Sequence, residues 1–452
     1  MVINDFERFF AACNPSKTID IGNPADRPYY IDFATVRGGK MIEALSRTIR
    51  ILAPNQPTCQ LFSGHIGCGK STDLLRLKAE LEQWGFHVVY FESTQDLDMG
   101  DVDISDILLA IARQVSVSLE EQKIRLQPSG FKALLQEAAD LLQTPMDVEF
   151  SLALGISKIT AKTKDSARSR SRLRQLLEPQ TNTLLQAINQ EVLEPAIKNL
   201  KQQGKKGLVV IVDNLDRIDP QLVAAGKPQP EYIFVDRGDQ LNRLNCHVVY
   251  TIPLSLIFSN SSETLRMRLG GGLAPKVLPM VPVQRRDGTD YEDGIALLRQ
   301  MVLCRAFPEI EANQRLNYIT DLFDSPETLD RLCCISGGHV RNLLGFMWRC
   351  LQEANPPCSR DVLERVIQQE RDLLLLSIDE QEWDLLLQVV QRQNVRGDQE
   401  YHVLLRRLWL FEYRDEKGCW FGINPVLAES EIFKSWQKSS IAVSKPVRYT
   451  QM

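Results

Sequence analysis

Three features of the chain predict an α/β protein with a parallel, doubly wound sheet of five strands. Five short apolar runs are separated by helical stretches, which is the pattern of strand–helix crossovers. A glycine-rich turn links the first run to an amphipathic helix, and a long helical region follows the fifth run. A helical lid-like segment and a small α+β domain complete the expected architecture.

The elements follow in order. Residues 1–58 form an approach segment with a turn at Asn23-Pro24 and an amphipathic helix over 42–52. Residues 59–290 make the core. Its first strand covers 59–63. The helix after it sets Leu74, Leu75, Leu77, Leu81 and Trp84 on one face and stops at Gly85. The second strand is 86–91, and a large helical insertion occupies 94–207. The third strand, Leu208-Val-Val-Ile-Val-Asp213, is apolar along its length, as suits a strand covered on both faces. Residues 247–252 and 276–283 give the fourth and fifth, and the prolines of the fifth place it at an edge. Residues 291–371 read as a helical lid. Within 372–430, helices over 379–391 and 401–408 precede a hairpin with its turn at Asp415-Glu-Lys-Gly418. Residues 431–452 read as a flexible tail.

Composition narrows the class. Apolar residues make up 44% and charged residues 25%, the mixture of a soluble globular protein. No apolar run approaches the roughly 18–20 residues that span a bilayer, and the N-terminus lacks a secretory pattern, so a cytoplasmic protein without membrane contact is expected. Ten cysteines at irregular spacing suit reduced thiols. With a net charge of −5 the whole molecule is not an obvious polyanion binder, but residues 151–176 carry seven cations (Lys158, Lys162, Lys164, Arg168, Arg170, Arg172, Arg174) against Asp165 alone. Two readings of that stretch stay open, a nucleic-acid-contacting arm and a solvated or protein-docking face.

The chemistry concentrates in Gly64-His65-Ile66-Gly67-Cys68-Gly69-Lys70-Ser71, followed by Thr72, a match to the phosphate-loop pattern G-x-x-x-x-G-K-[ST]. Glycines let successive N–H groups cradle phosphate oxygens, Lys70 adds a cation at the β- and γ-phosphates, and the Ser71 hydroxyl is a Mg²⁺ ligand. The helix that starts there points its positive end at the anion. ATP or ADP with Mg²⁺ is the expected ligand. Asp213, at the tip of a buried strand, supplies the second metal-binding oxygen. The residue after it, Asn214, cannot accept a proton, so Asp216 or Glu92 must serve as base and hydrolysis should be slow. Asp216 has an alternative as a helix cap or partner of Arg217. Thr251 ends the fourth strand, either facing the γ-phosphate or packed as a strand threonine. Arg341, opening a helix after Gly337-Gly338, reaches the γ-phosphate or is solvated. Arg266 and Arg268 are candidates for action across a subunit boundary.

This order of parts resembles the AAA+ ATPases and the related STAND signalling ATPases, including their KAP-like branch, over residues 28–425. Val-Ile-Val-Asp213-Asn-Leu-Asp216-Arg217 resembles the KAP-like second motif. Thr251 falls where the first sensor would lie, and Gly338-x-x-Arg341 resembles the second sensor of initiator-type members. The Tyr30 to Gly38 stretch resembles the segment set against adenine. The resemblance implies a nucleotide-switched homo-oligomer, or one bound to a protein partner, with a C-terminal winged helix carrying Arg406 and Arg407. The insertion departs from the family pattern. Three functions are compatible with these residues: an ATP-dependent switch with slow ATPase activity, a DNA-binding initiator or transposition regulator, and a small-molecule kinase. The absence of a second anion-binding cluster argues against the last.

Overall fold

The computed structural model describes residues 6–126, 128–145, 151–223 and 226–443. The chain divides into two compact units, one of residues 41–64 and 70–277, the other of 1–40, 65–69 and 278–452.

The first of these holds the sheet. Strands β1 (Cys59–Gly64), β2 (His87–Glu92), β3 (Leu208–Asp213), β4 (His247–Thr251) and β5 (Lys276–Leu278) lie in the order β2-β3-β4-β1-β5. The β1–β4, β2–β3 and β3–β4 pairs are parallel. Every residue of β3 is buried, as its unbroken apolar run demands. β5 lies at the edge but is shorter than expected. Pro279 and Pro282 have no N–H to donate, so the ladder ends at Leu278. The helix α1 (Met41–Arg47) precedes β1 and α2 (Lys70–Gln83) follows the glycine-rich turn. α2 buries Leu74, Leu77 and Leu81, three residues of its predicted apolar face.

The insertion is part of this core. Its longest helix, α3 (Ile104–Glu121), starts in a capping box between Asp103 and Asp106. Its buried residues belong to the same apolar cluster as Val210 and Val212 of β3. Helices α4 (Leu152–Lys164) and α5 (Ala167–Leu177) carry the basic stretch. Much of that charge is spent inside the molecule. Arg170 pairs with Asp98 at 2.8 Å and Asp101 at 2.9 Å, and Arg174 pairs with Asp101 and with Asp106 at 3.2 Å. Lys164 donates to the Thr94 and Gln95 carbonyls and Lys158 to that of Pro145. The stretch is a helical pair with four of its seven cations turned onto the protein, which corrects the reading of it as an arm.

In the other unit, α6 (Glu292–Ala306), α7 (Val340–Glu353) and α8 (Arg360–Leu375) bury Leu298, Val302, Leu343, Met347, Leu363 and Ile367 in a second cluster. Phe9, Phe33 and Val36 of the approach segment join it, so residues before 41 pack with the helical part and those after with the sheet. Then come α9 (Glu380–Arg392), capped by Asp379 and Glu382 in a capping box, and α10 (Gln399–Arg406). The hairpin β6 (Leu410–Asp415) and β7 (Gly418–Ile423) follows, completing the helix–helix–hairpin order of a winged helix. A further helix, α11 (Glu431–Val443), replaces the flexible tail over those residues; the rest of the expected tail, 444–452, lies outside the described residues. All ten cysteines are free thiols. No described helix is long and apolar enough to cross a membrane.

Candidate functional site

β1 delivers the chain into the glycine-rich turn and α2 begins at Lys70, so the motif sits between strand and helix. The Lys70 side chain is only 6% exposed. Its Nζ donates to the Gly64 carbonyl at 2.9 Å and lies 3.0 Å from Asp216 Oδ2. The second Asp216 oxygen, Oδ1, is buried with no hydrogen-bond partner. This pairing spans 146 residues of sequence and replaces both local alternatives, the helix cap and the Arg217 pair.

Asp213 is fully buried at the end of β3. Its Oδ2 accepts from the Tyr90 hydroxyl at 2.9 Å and its Oδ1 from the Asn214 N–H at 2.7 Å. The Ser71 hydroxyl also hydrogen-bonds to this carboxylate. Burial, and then the negative charge of Asp216, push the Asp213 carboxyl above its ordinary range, against those three hydrogen bonds. Two buried carboxylates thus lie close enough to repel, and one of them, Asp216, is paired with Lys70. Together with the Ser71 hydroxyl they are hard oxygen donors of the kind Mg²⁺ takes, so the residues fit that ion.

Asn214 has a structural reason to stand after Asp213. Its backbone is left-handed, at φ 65° and ψ 8°, a conformation that asparagine tolerates and glutamate does not favour. The turn swings Leu215–Arg217 back so that Asp216 reaches Lys70. Thr251 braces it. The fully buried Thr251 Oγ1 accepts from the Leu215 N–H at 3.0 Å and donates to the Val212 carbonyl at 3.3 Å. Glu92, the other candidate base, ends β2 in register with Asp213 and is half-buried.

Residues His65–Gly69 cluster with the helical unit. His65 Nε2 accepts from the backbone N–H of Glu412 in β6 at 2.9 Å. His339 caps α7, its Nδ1 accepting from the Asn342 N–H, so its Nε2 carries the proton and donates to the Ile66 carbonyl at 2.8 Å. The Arg341 N–H donates to the Gly67 carbonyl at 3.2 Å. Gly67 is needed here twice over. Its φ is +90°, and a Cβ would come within 2.9 Å of Arg341 Cβ and the His339 ring. Arg37 donates through one guanidinium nitrogen to the Cys68 carbonyl at 2.8 Å. Sequence reasoning named Arg341 but missed the holds by His339, Glu412 and Arg37. The adjacent Gly337-Gly338-His339 was the available signal for the first; nothing local marks the second.

The remaining candidates are occupied elsewhere. Arg407 donates to the Ser377 carbonyl and lies over the Trp409 ring. Arg266 pairs with Glu263, and Arg268 donates to the carbonyls of Val235 and Asp236.

Known proteins match this chain in a limited way. The KAP family P-loop domain matches residues 39–225. No curated protein matches. Among solved structures, the chain is similar to a Walker-type ATPase of Pyrococcus abyssi at 12% identity and a TM-score of 0.41, over 89% of this chain and 98% of that one. It is also similar to the Aeropyrum pernix ORC2 protein at 12% identity and a TM-score of 0.39, over 94% and 99%. A third likeness is to Cdc6p of Pyrobaculum aerophilum, at 12% and 0.35, over 92% and 98%. The motif and its geometry agree with the family match: over residues 39–225 the chain is similar to the KAP family P-loop domain, and it carries a P-loop NTPase fold there.

Proposed function

We propose that the protein is a Mg²⁺-dependent, slow ATPase whose nucleotide state is read by the residues that grip its phosphate loop. The observation that carries this reading is the Lys70–Asp216 ion pair beside Asp213 and Ser71. When ATP enters, its phosphates draw Lys70 away from Asp216, because a polyanion outbids one carboxylate for the same cation. Ser71 and Asp213 would hold Mg²⁺, which would supply charge neutralisation at the phosphate oxygens. Asp216, released from the lysine, then has both oxygens available to orient water or accept its proton. Slow turnover follows from the inert Asn214 and from Asp216 having to change partners first.

The switch reading is supported by the hydrogen bonds of His65, Ile66 and Gly67 to Glu412, His339 and Arg341. A loop that reshapes around phosphate must strain or release these bonds. Arg341 is the proposed γ-phosphate reporter, since its own backbone touches the loop, and Thr251 acts by holding the Asp216 turn. Amide hydrogen exchange tests this: protection of the Glu412 N–H should differ between the ADP and ATP states. Identical exchange in both states, with nucleotide demonstrably bound, would remove the switch and leave a simple nucleotide-binding site.

A further inference from the structure

The two side chains that fit Mg²⁺ share one neighbour outside the glycine-rich motif. Tyr90 stands in β2 opposite Ile211 of β3, two places before the Glu92–Asp213 pair. Side chains two apart on a strand share a face, so Tyr90 and Asp213 rise from the same side of the sheet. The tyrosine is long enough to close the diagonal, and its hydroxyl donates to Asp213 Oδ2 at 2.9 Å. The Ser71 hydroxyl, in the first turn of α2, hydrogen-bonds to Tyr90 as well as to Asp213. With the Asn214 N–H on Oδ1, the Asp213 carboxylate is held from three sides and cannot turn without losing a bond. Asp216 is not braced in this way, since its Oδ1 has no hydrogen-bond partner. One carboxylate of the site is thus fixed, and the other is left to change partners.

We infer that Tyr90 is a positioning residue for metal binding: its hydroxyl holds the Ser71 and Asp213 oxygens in the arrangement that accepts Mg²⁺. The inference rests on the proposed reading of the site and extends it to a residue outside the motif. Mg²⁺ tolerates little departure from octahedral geometry, so the orientation of the oxygens offered to it governs its affinity. A serine hydroxyl that gives a lone pair to a cation must direct its proton elsewhere, and the Asp213 carboxylate and the Tyr90 oxygen lie beside it as acceptors. A phenol is uncharged near neutral pH, so it anchors both groups without adding a competing charge. Hydrogen-bond partners that orient metal-binding groups are worth about 10- to 100-fold in metal affinity.

The test measures the equilibrium affinity of the full chain for a non-hydrolysable ATP analogue across a Mg²⁺ titration. Tyr90→Phe keeps the half-buried ring and removes only the hydroxyl, so no repacking is required. Without metal, the variant and the unmodified protein should bind the analogue equally. The Mg²⁺ concentration that gives half of the tightening should rise about tenfold or more in the variant. In an Asp213→Asn background the same substitution should add less than about twofold, because neighbours that act through one another are not additive. Three results would overturn the inference: a Mg²⁺ response unchanged by Tyr90→Phe, a loss of affinity equal with and without metal, or an effect just as large in Asp213→Asn. A melting midpoint lowered with the Mg²⁺ response intact belongs to the first of these and would leave the hydroxyl a purely structural role. If binding by the unmodified protein ignores Mg²⁺, the reading of the site fails and the inference with it. If the unmodified protein responds and the variant responds alike, the inference fails alone.

Discussion

The Lys70 ammonium lies 2.9 Å from the Gly64 carbonyl and 3.0 Å from the Asp216 carboxylate, and the choice between Asp216 and Glu92 as base depends on that contact. Asp216→Asn should cut phosphate release about 100-fold or more while leaving ATP affinity no weaker than that of the unmodified protein, since the lysine's competing carboxylate is gone. Glu92→Gln, run in parallel, should keep turnover. The reverse pattern would move the chemistry to the end of β2. Glu412 allows a second residue-scale measurement. It is completely buried and neither carboxyl oxygen has a well-formed hydrogen bond. Burial pushes its pKa up to about 7, with Arg414, the Cys419 thiol and Arg37 opposing the rise. The folded protein therefore keeps this proton through a window, from about 4.5 to about 7, in which the unfolded chain has released it. Stability falls as pH rises through that window, by about 3 kcal/mol in all. Glu412→Gln should abolish the fall. Urea midpoints of variant and unmodified protein should agree near pH 4 and separate at pH 8, with the variant the more stable. Parallel curves at all pH values would mean the carboxyl is already compensated.

Among the elements, the insertion is where charge on paper and charge in the fold differ most. Arg174 lies among Asp101, Asp103 and Asp106, and burial raises the Asp106 carboxyl to about 6. Removing one partner of a part-buried network costs about 2–3 kcal/mol, so Arg174→Ala should lower the denaturation midpoint clearly. Arg168→Ser, at an exposed position, and Arg172→Ser, at a half-buried one outside the Asp101–Asp106 network, should leave it unchanged. Equal effects from all three would make the network irrelevant to stability. The helices α4 and α5 were legible in the sequence. Their role was not, because the acids that claim Arg170 and Arg174 stand about 70 residues earlier. The strands were legible for a local reason: β3 is an unbroken apolar run, and β5 ends where its prolines remove donors. The Asp379 capping box and the Asp415–Gly418 turn are likewise written in adjacent residues.

For the whole molecule, the site divides into what a motif encodes and what distant chain supplies. Gly64 to Ser71 and Asp213 are readable because each chemical demand falls on neighbouring residues. The partners that give the site its character come from far off: Asp216 for Lys70, His339 and Glu412 for the loop, Thr251 for the Leu215 turn. We propose that this assembly binds ATP through Lys70 with Mg²⁺. Its most direct test is the equilibrium affinity for ATP of unmodified protein and Lys70→Ala, each with and without Mg²⁺, in samples shown to be folded. A charge-assisted contact of about 1.5–3 kcal/mol is lost, so affinity should fall roughly tenfold or more, and Mg²⁺ should tighten binding to the unmodified protein. Equal affinity for both proteins, insensitive to Mg²⁺, would contradict the account.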